Sequence, residues 1–277
     1  MAELWEELAP RWERGRELLW ESTREVSEWL VERLDPQPGQ TILDLAAGTG
    51  ETGFLAAPRL APGGRLITSD LSPSMVEAAE RLGVAWGVSN AEFRVLDAER
   101  IELPDASVDG VLSRFGYVLR GDPPRALAEV RRVLRPGGGF AFAAWAARER
   151  NRWMTVPAEV MVERGHLPPQ TDEEARLSAN RNPVAIRRVL AGAGLGEAEI
   201  EELPVAYRFA NADELWFFVS ELRGPVALAL ERLGEGERAA VRAEIERRAD
   251  RLGDVFALAG VSINVATKKA PTRVELV

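Results

Sequence analysis

One nine-residue run constrains this chain more than any other: Ile42-Leu43-Asp44-Leu45-Ala46-Ala47-Gly48-Thr49-Gly50. An apolar strand ends in an acid, a glycine turn follows, and a helical stretch begins. Glycine has no Cβ, so the backbone can turn tightly and come close to a bound molecule. A helix starting just past the turn aims its unpaired N–H groups and the positive end of its dipole at that molecule. The run therefore predicts a strand-turn-helix unit with a ligand at the strand tip.

From Gln40 to Trp145 strand and helix patterns alternate. Strands are expected at 41–45, 65–69, 91–96, 108–113 and 139–145, and helices at about 51–60, 73–82 and 123–134. Pro62-Gly63-Gly64 and Pro136-Gly137-Gly138 mark joints. Such alternation predicts a doubly wound, mostly parallel α/β sheet covered on both faces. Residues 1–34 read as two helices, with Trp5, Leu8, Trp12 and then Leu19, Val26, Trp29, Leu30 at helical spacing. Beyond Trp145 the rhythm breaks. An insertion over 147–196, with one helix at 183–193, precedes a strand at 198–208, helices within about 210–256 and a strand at 261–267. That makes seven strands, the last two expected to pair antiparallel at one edge. The expected units are a lid at 1–34, a core at 35–146, the insertion, and a segment at 197–277 carrying the last strands and a cap.

Composition excludes several chemistries. The chain has no cysteine and one histidine, His166, so neither a disulfide framework nor a Cys- or His-based metal cluster is available. A net charge of −9 disfavours broad nucleic-acid binding. The acidic start lacks a signal-peptide layout and no stretch reaches the ~18 apolar residues of a membrane span. A cytoplasmic protein without metal, nucleic acid or membrane span is expected.

Four landmarks fall where a doubly wound sheet would bring them together above its strand tips. The turn from Asp44 through Gly48, Thr49 and Gly50 is the first. A carboxylate there suits a cationic ammonium better than a pyrophosphate, which points to S-adenosylmethionine. Asp70, ending the second strand, is placed for the ribose hydroxyls. Asp97 is placed for the adenine amine, with the Ala98 N–H at a ring nitrogen, and Ser113 lies beside the methionine part. Each acid alone could instead cap a helix; the four together favour a ligand. Gly48-Thr49-Gly50-Glu51-Thr52-Gly53 also spells G-x-G-x-x-G, with Asp70 at the distance of an NAD ribose contact. Against that rival stand the acid just before the turn, an idle Asp97 and the lack of a hydride-transfer constellation.

The runs Asp44–Gly50, Ser69–Met75, Asp97-Ala98, Leu103–Asp109 and Arg132–Gly138 resemble class I S-adenosylmethionine-dependent methyltransferases, closest to the ubiquinone/menaquinone-biosynthesis-like group. The resemblance covers about residues 40–145 and implies a Rossmann-like sheet. It implies that the 44–50 turn holds the methionine moiety, Asp70 the ribose and Asp97-Ala98 the adenine, with Leu71 and Met75 packed around the adenosine. It also implies an N-terminal helix over the cofactor, with Trp12 as its aromatic contact; packing against the sheet is the plainer role for Trp12. At Ala46 the family usually has glycine. An alanine is expected to keep a negative φ with room for its methyl.

Methyl transfer needs mainly an acceptor held in line behind an electrophilic methyl, with water excluded. No dedicated catalytic residue is required. Should a base be used, the candidates are His166, then Tyr117 and Tyr207. The acceptor is expected to be small and partly hydrophobic, with O-methylation favoured over C- or N-methylation. A cofactor-binding module without catalysis is the alternative.

Overall fold

The computed structural model describes residues 2–116, 122–179, 181–250 and 257–269. Two helices, α1 (Ala2–Arg14) and α2 (Arg16–Leu34), precede β1 (Thr41–Leu45), α3 (Glu51–Ala56), β2 (Arg65–Asp70), α4 (Pro73–Ala85), β3 (Ala91–Val95) and β4 (Val108–Arg114). Next come α5 (Pro123–Val133), β5 (Leu134–Trp145), α6 (Arg152–Glu163), α7 (Asp172–Ala179), α8 (Pro183–Gly192) and β6 (Glu199–Arg208). The described elements finish with α9 (Ala212–Phe217), α10 (Pro225–Leu230), α11 (Glu235–Asp250) and β7 (Ala257–Lys268).

Seven strands form one sheet in the order β3-β2-β1-β4-β5-β7-β6. The first five are parallel, and β7 runs antiparallel between β5 and β6. Strand β1 is central, and its alternation divides its side chains between two cores. Ile42 joins Val26, Leu30 and Phe54 on one face. Leu43 and Leu45 join Leu127, Val130, Ile186 and Leu190 on the other. Both faces are covered, so the buried positions of the strand are apolar except Asp44. Truncating fully buried Leu43 to alanine should cost about 2–5 kcal/mol.

Local chemistry sets the helix starts at the strand tips. Ser72 caps α4 by accepting from the Met75 amide at 3.2 Å, and Pro73 fills the first turn. Asp122 caps α5 by accepting from Arg125 N at 3.2 Å, again followed by proline. Helix α2 lies across β4, β5, β6 and β7, and its buried Ser27 is hydrogen-bonded to Thr52 of α3 at 3.0 Å.

Several boundaries differ from the sequence expectation. The helix at 51–60 splits into α3 and a 3-10 turn at Ala57–Leu60, because Pro58 has no amide proton for an α-helical bond. Strand β5 starts at Leu134, paired with Val108 ahead of the irregularity that Gly137 turns with φ +77°. The insertion holds α6 and α7 as well as α8. Pro157 lies inside α6, but a buried stripe of Trp153, Val156, Val160 and Met161 supports the helix. Strand β7 extends back to Ala257 because it pairs with β6 along its whole length, antiparallel as expected.

Candidate functional site

The turn after β1 is tied down before it reaches any ligand. The Ala47 amide donates to Ser69 O of β2 at 2.8 Å, and Ser69 Oγ donates to Asp44 O at 3.0 Å. Ala46, Gly48 and Gly50 all take positive φ, at 54°, 58° and 92°. The expectation of a negative φ at Ala46 is thereby overturned. The turn keeps its left-handed geometry, and the alanine bears a steric cost of about 1–2 kcal/mol. Its methyl fits because residue 116 is glycine: a Cβ on Gly116 would lie 2.8 Å from Ala46 Cβ and 2.6 Å from Ser113 Oγ. At Gly48 a Cβ would meet nothing within 4 Å, so open space fronts the turn there.

Asp44 is buried behind this turn. Its Oδ2 accepts from the Gly53 amide of α3 at 2.8 Å, while Oδ1 is buried with no hydrogen-bond partner. Burial pushes its carboxyl up to about 7, against the opposing pull of the Gly53 amide and Arg114. Asp70 joins two loops: Oδ2 accepts from Gly48 N and Oδ1 from Ser72 N, both at 3.0 Å. Burial raises its pKa too, and those amides work against the rise.

The Leu96 amide donates to Asp70 O at 3.0 Å, bringing the end of β3 beside the end of β2. There Asp97 is exposed and accepts from Glu99 N at 2.9 Å, while Ala98 is buried. Leu71 is half-buried, and Met75 lies on the buried face of α4. Ser113, at the tip of β4, is buried with its Oγ unpartnered. Asp44, Ala46, Gly48, Thr49, Gly50, Asp70, Asp97 and Ser113 are thus collected along one edge of the sheet.

Trp12 lies on α1, edge-on to Trp5 with ring centroids 5.3 Å apart, and its buried indole N–H has no acceptor. It also packs against the core cluster shared by the sheet and cap helices. Helix α1 is seated by Glu6, which accepts from Ser72 Oγ at 2.9 Å and from both the hydroxyl and amide of Ser74. Glu13 and Arg81 of α4 add a two-pronged ion pair at 2.9 and 3.0 Å. The first helix therefore rests on the loop that carries Asp70.

His166 is held elsewhere. Its Nε2 lies 2.7 Å from Glu237 Oε1, and Arg164 reaches the same carboxylate, so the end of α6 is clamped to the start of α11. Arg164 and His166 hold the Glu237 carboxyl down at about 2. Tyr117 lies outside the described residues. Tyr207 is buried, and burial raises its phenol pKa, which works against use as a base.

Sequence reasoning missed Arg114, Glu51 and Glu6. Glu51 is buried in the first turn of α3, accepts from Thr49 Oγ1 at 2.7 Å, and lies 3.8 Å from Arg114. Its signal was its place directly after Gly50, read only as part of the glycine pattern. Aromatic rings gather beside Arg114: Phe115 stacks on Trp145 at 3.9 Å and 5°, and Trp145 continues to Trp153 at 4.6 Å and Tyr207 at 6.4 Å. Phe218 closes the group 4.7 Å from Tyr207. A cleft of about 530 Å³ lined by Arg148, Arg152, Thr155 and Gln170 lies on the insertion and involves none of the strand-tip residues.

A seven-stranded, mostly parallel sheet with an acidic first strand tip, a left-handed glycine turn and Asp70 ending the second strand is the fold of class I S-adenosylmethionine-dependent methyltransferases. The model of the methyltransferase domain family matches residues 42–138. The malonyl-[acyl-carrier protein] O-methyltransferase of Serratia marcescens is 30% identical over 213 residues, covering 77% of this chain and 74% of that protein. The ubiquinone/menaquinone biosynthesis C-methyltransferase UbiE of Acidiphilium cryptum is 40% identical over 113 residues, covering 40% of this chain and 44% of that protein. The chain spans about half the length or less of several of the relatives it matches. Among solved structures, YcgJ of Bacillus subtilis superposes with a TM-score of 0.59 at 18% identity, covering 90% of this chain and all of that one. The chain belongs to the S-adenosylmethionine-dependent methyltransferases.

Among the described residues no helix is long and apolar enough to cross a membrane, and no group of three or more His, Cys, Asp or Glu is arranged to hold a metal.

Proposed function

We propose that this protein transfers a methyl group from S-adenosylmethionine to a small, partly hydrophobic molecule in the cytoplasm, and that the accepting atom is oxygen. The carrying observation is the buried, donorless Oδ1 of Asp44 behind a glycine turn that faces open space. A buried carboxylate oxygen without a donor is costly, and an ammonium group supplies the missing charge and hydrogen bond. The NAD reading offers that oxygen only a pyrophosphate.

When bound, the cofactor supplies a methyl made electrophilic by its sulfonium. The chain's own work is to bind, orient and exclude water. Asp44, Ala46, Gly48, Thr49, Gly50 and Ser113 form the methionine end. Asp70 holds the ribose, and Asp97 with Ala98 reads the adenine between Leu71 and Met75. Helix α1 acts as a lid, with Trp12 on its inner side. The acceptor lies against the Phe115–Trp145 stack, whose rings keep that end of the site apolar. With His166 clamped to Glu237, transfer relies on placement. Oxygen is preferred because the S. marcescens O-methyltransferase matches into the regions around the core, whereas the C-methyltransferase matches 40% of the chain.

Incubation with methyl-labelled S-adenosylmethionine and a panel of carboxylic acids, phenols, quinols and amines tests the reading. Label in an oxygen-linked product above a heat-treated control is expected. Transfer only to carbon or nitrogen overturns the oxygen preference. Calorimetric silence toward S-adenosylhomocysteine, alongside clear affinity for NAD, overturns the whole assignment.

A further inference from the structure

Among the described residues, Asp35, Ala46, Ala106 and Phe115 take a positive φ without being glycine. Only Phe115, at +58°, carries a bulky side chain into that left-handed region, where Cβ crowds a backbone carbonyl. It follows β4 directly, and its amide still donates to Ala143 O of β5 at 2.9 Å. The sheet thus holds Phe115 by its amide, and the strain lies beyond that point. Strain of this kind persists where the surrounding structure imposes it, and it gathers at sites that bind or react.

What the strain holds is one ring flat on another. Phe115 lies on Trp145 with planes within 5° and centroids 3.9 Å apart, flatter and closer than the Phe140–Phe142 pair at 22° and 4.8 Å. Both rings are half-buried, whereas Trp153, Tyr207 and Phe218 around them are buried. Trp145 is the fixed member. It pairs with Ser262 of β7 and backs onto Trp153, whose indole N–H donates to Asn151 Oδ1 at 3.1 Å. Trp153 in turn needs glycine at 260, since a Cβ there would lie 2.7 Å from its ring. The residue after Phe115 locates the pair. A Cβ on Gly116 would lie 2.8 Å from Ala46 Cβ and 3.4 Å from Leu45 O, so the chain leaving Phe115 presses on the turn after β1. The stack therefore stands beside the methionine end of the proposed cofactor site.

We propose that Phe115 is a placeholder on the acceptor's own platform: a flat, conjugated acceptor lies on Trp145 after Phe115 swings off it into an ordinary negative φ. Relief of the strained backbone offsets part of the stacking that Phe115 gives up, so one ring exchanges for another at little net cost. An acceptor without a flat face gains no such contact and leaves Phe115 in place. The inference rests on the methyltransferase reading above and concerns its acceptor end alone.

The test uses protein saturated with S-adenosylhomocysteine and two probes that share a carbon skeleton and a hydroxyl, 2-naphthol and decahydro-2-naphthol, titrated by calorimetry. The wild-type protein should bind 2-naphthol at least about threefold more tightly, the scale of an aromatic stacking contact. Phe115→Gly removes the competing ring and accepts the positive φ, so it should tighten 2-naphthol by about threefold or more and raise its preference over the saturated probe. Trp145→Leu should abolish the preference. If Trp145→Leu does not fold, Phe115→Gly decides alone. A 2-naphthol affinity unchanged or weakened in Phe115→Gly overturns the proposal, because that is how a ring that merely packs would behave. Equal affinity of the wild-type protein for the two probes, or binding of neither, also overturns it. Protein that fails to bind S-adenosylhomocysteine overturns the cofactor reading instead.

Discussion

Asp70 Oδ2 accepts a hydrogen bond from the Gly48 amide at 3.0 Å, so the acid ending β2 fastens the glycine turn that follows β1. The same carboxylate holds Ser72 N through its other oxygen. One side chain thus sets the spacing of two loops. Asp70→Ala should weaken S-adenosylhomocysteine binding by about 10- to 100-fold, since a hydrogen bond to a charged group contributes about 1.5–3 kcal/mol. Asp70→Asn should fall between. Calorimetry checks this, and unchanged affinity in the alanine variant would remove Asp70 from the site.

Burial has raised Asp44 from an ordinary 3.8 to about 7, with Glu51 and Asp70 adding to the rise and Arg114 opposing it. The folded protein therefore holds this proton more tightly than the unfolded chain between those values. Its stability contribution is full below about 3.8 and is lost as pH climbs to about 7. At about 1.4 kcal/mol per tenfold change in proton affinity, the ceiling is about 4 kcal/mol. Asp44→Asn should flatten the fall in melting temperature of the ligand-free protein across that window.

Cofactor binding should run the opposite way. An ammonium beside Asp44 favours the carboxylate, so binding releases a proton below pH 7 and affinity climbs toward that value. Calorimetry in buffers of different ionisation enthalpy reads the proton directly. No buffer dependence at pH 6 would contradict the ammonium contact.

Ala46 and Gly116 should behave as a coupled pair. Ala46→Gly relieves a left-handed alanine and should stabilise by about 1 kcal/mol. Gly116→Ala should destabilise, because the new methyl meets both Ala46 Cβ and Ser113 Oγ. Combining the two should recover part of the loss, and denaturant unfolding of the four proteins gives the coupling.

Glu6 carries the seat of α1. Glu6→Ala should leave the sheet intact, speed amide exchange across 2–14, and weaken S-adenosylhomocysteine several-fold through faster release. Hydrogen exchange with and without ligand measures both effects. Exchange unaltered by the substitution would show that α1 is held by its other contacts.

The sequence carried the parallel half of the sheet well, because helix and strand periods alternate there and Pro-Gly pairs punctuate them. The antiparallel edge was also legible from two apolar runs separated by helices. Helix α6 was harder to see, since Pro157 and charges obscured a stripe that shows its worth only once it is packed. The strand-tip acids were visible through their place after apolar runs. Arg114 was not, because an arginine after a strand looks like a solvated end until Glu51, Thr23 and Trp20 surround it. Ala46 shows the limit of residue-type reasoning: the turn dictates its φ whatever side chain it carries.

Arg208 and Ala257 sit opposite each other where β6 and β7 pair. The chain leaves the sheet for α9, α10 and α11 and returns at the neighbouring rung. Such an excursion is a cassette with adjacent endpoints, which evolution or an engineer can exchange without re-registering the five parallel strands. Chimeras exchanging this excursion between relatives should keep the register of the five parallel strands while changing what packs on Tyr207, where Phe218 now lies 4.7 Å away.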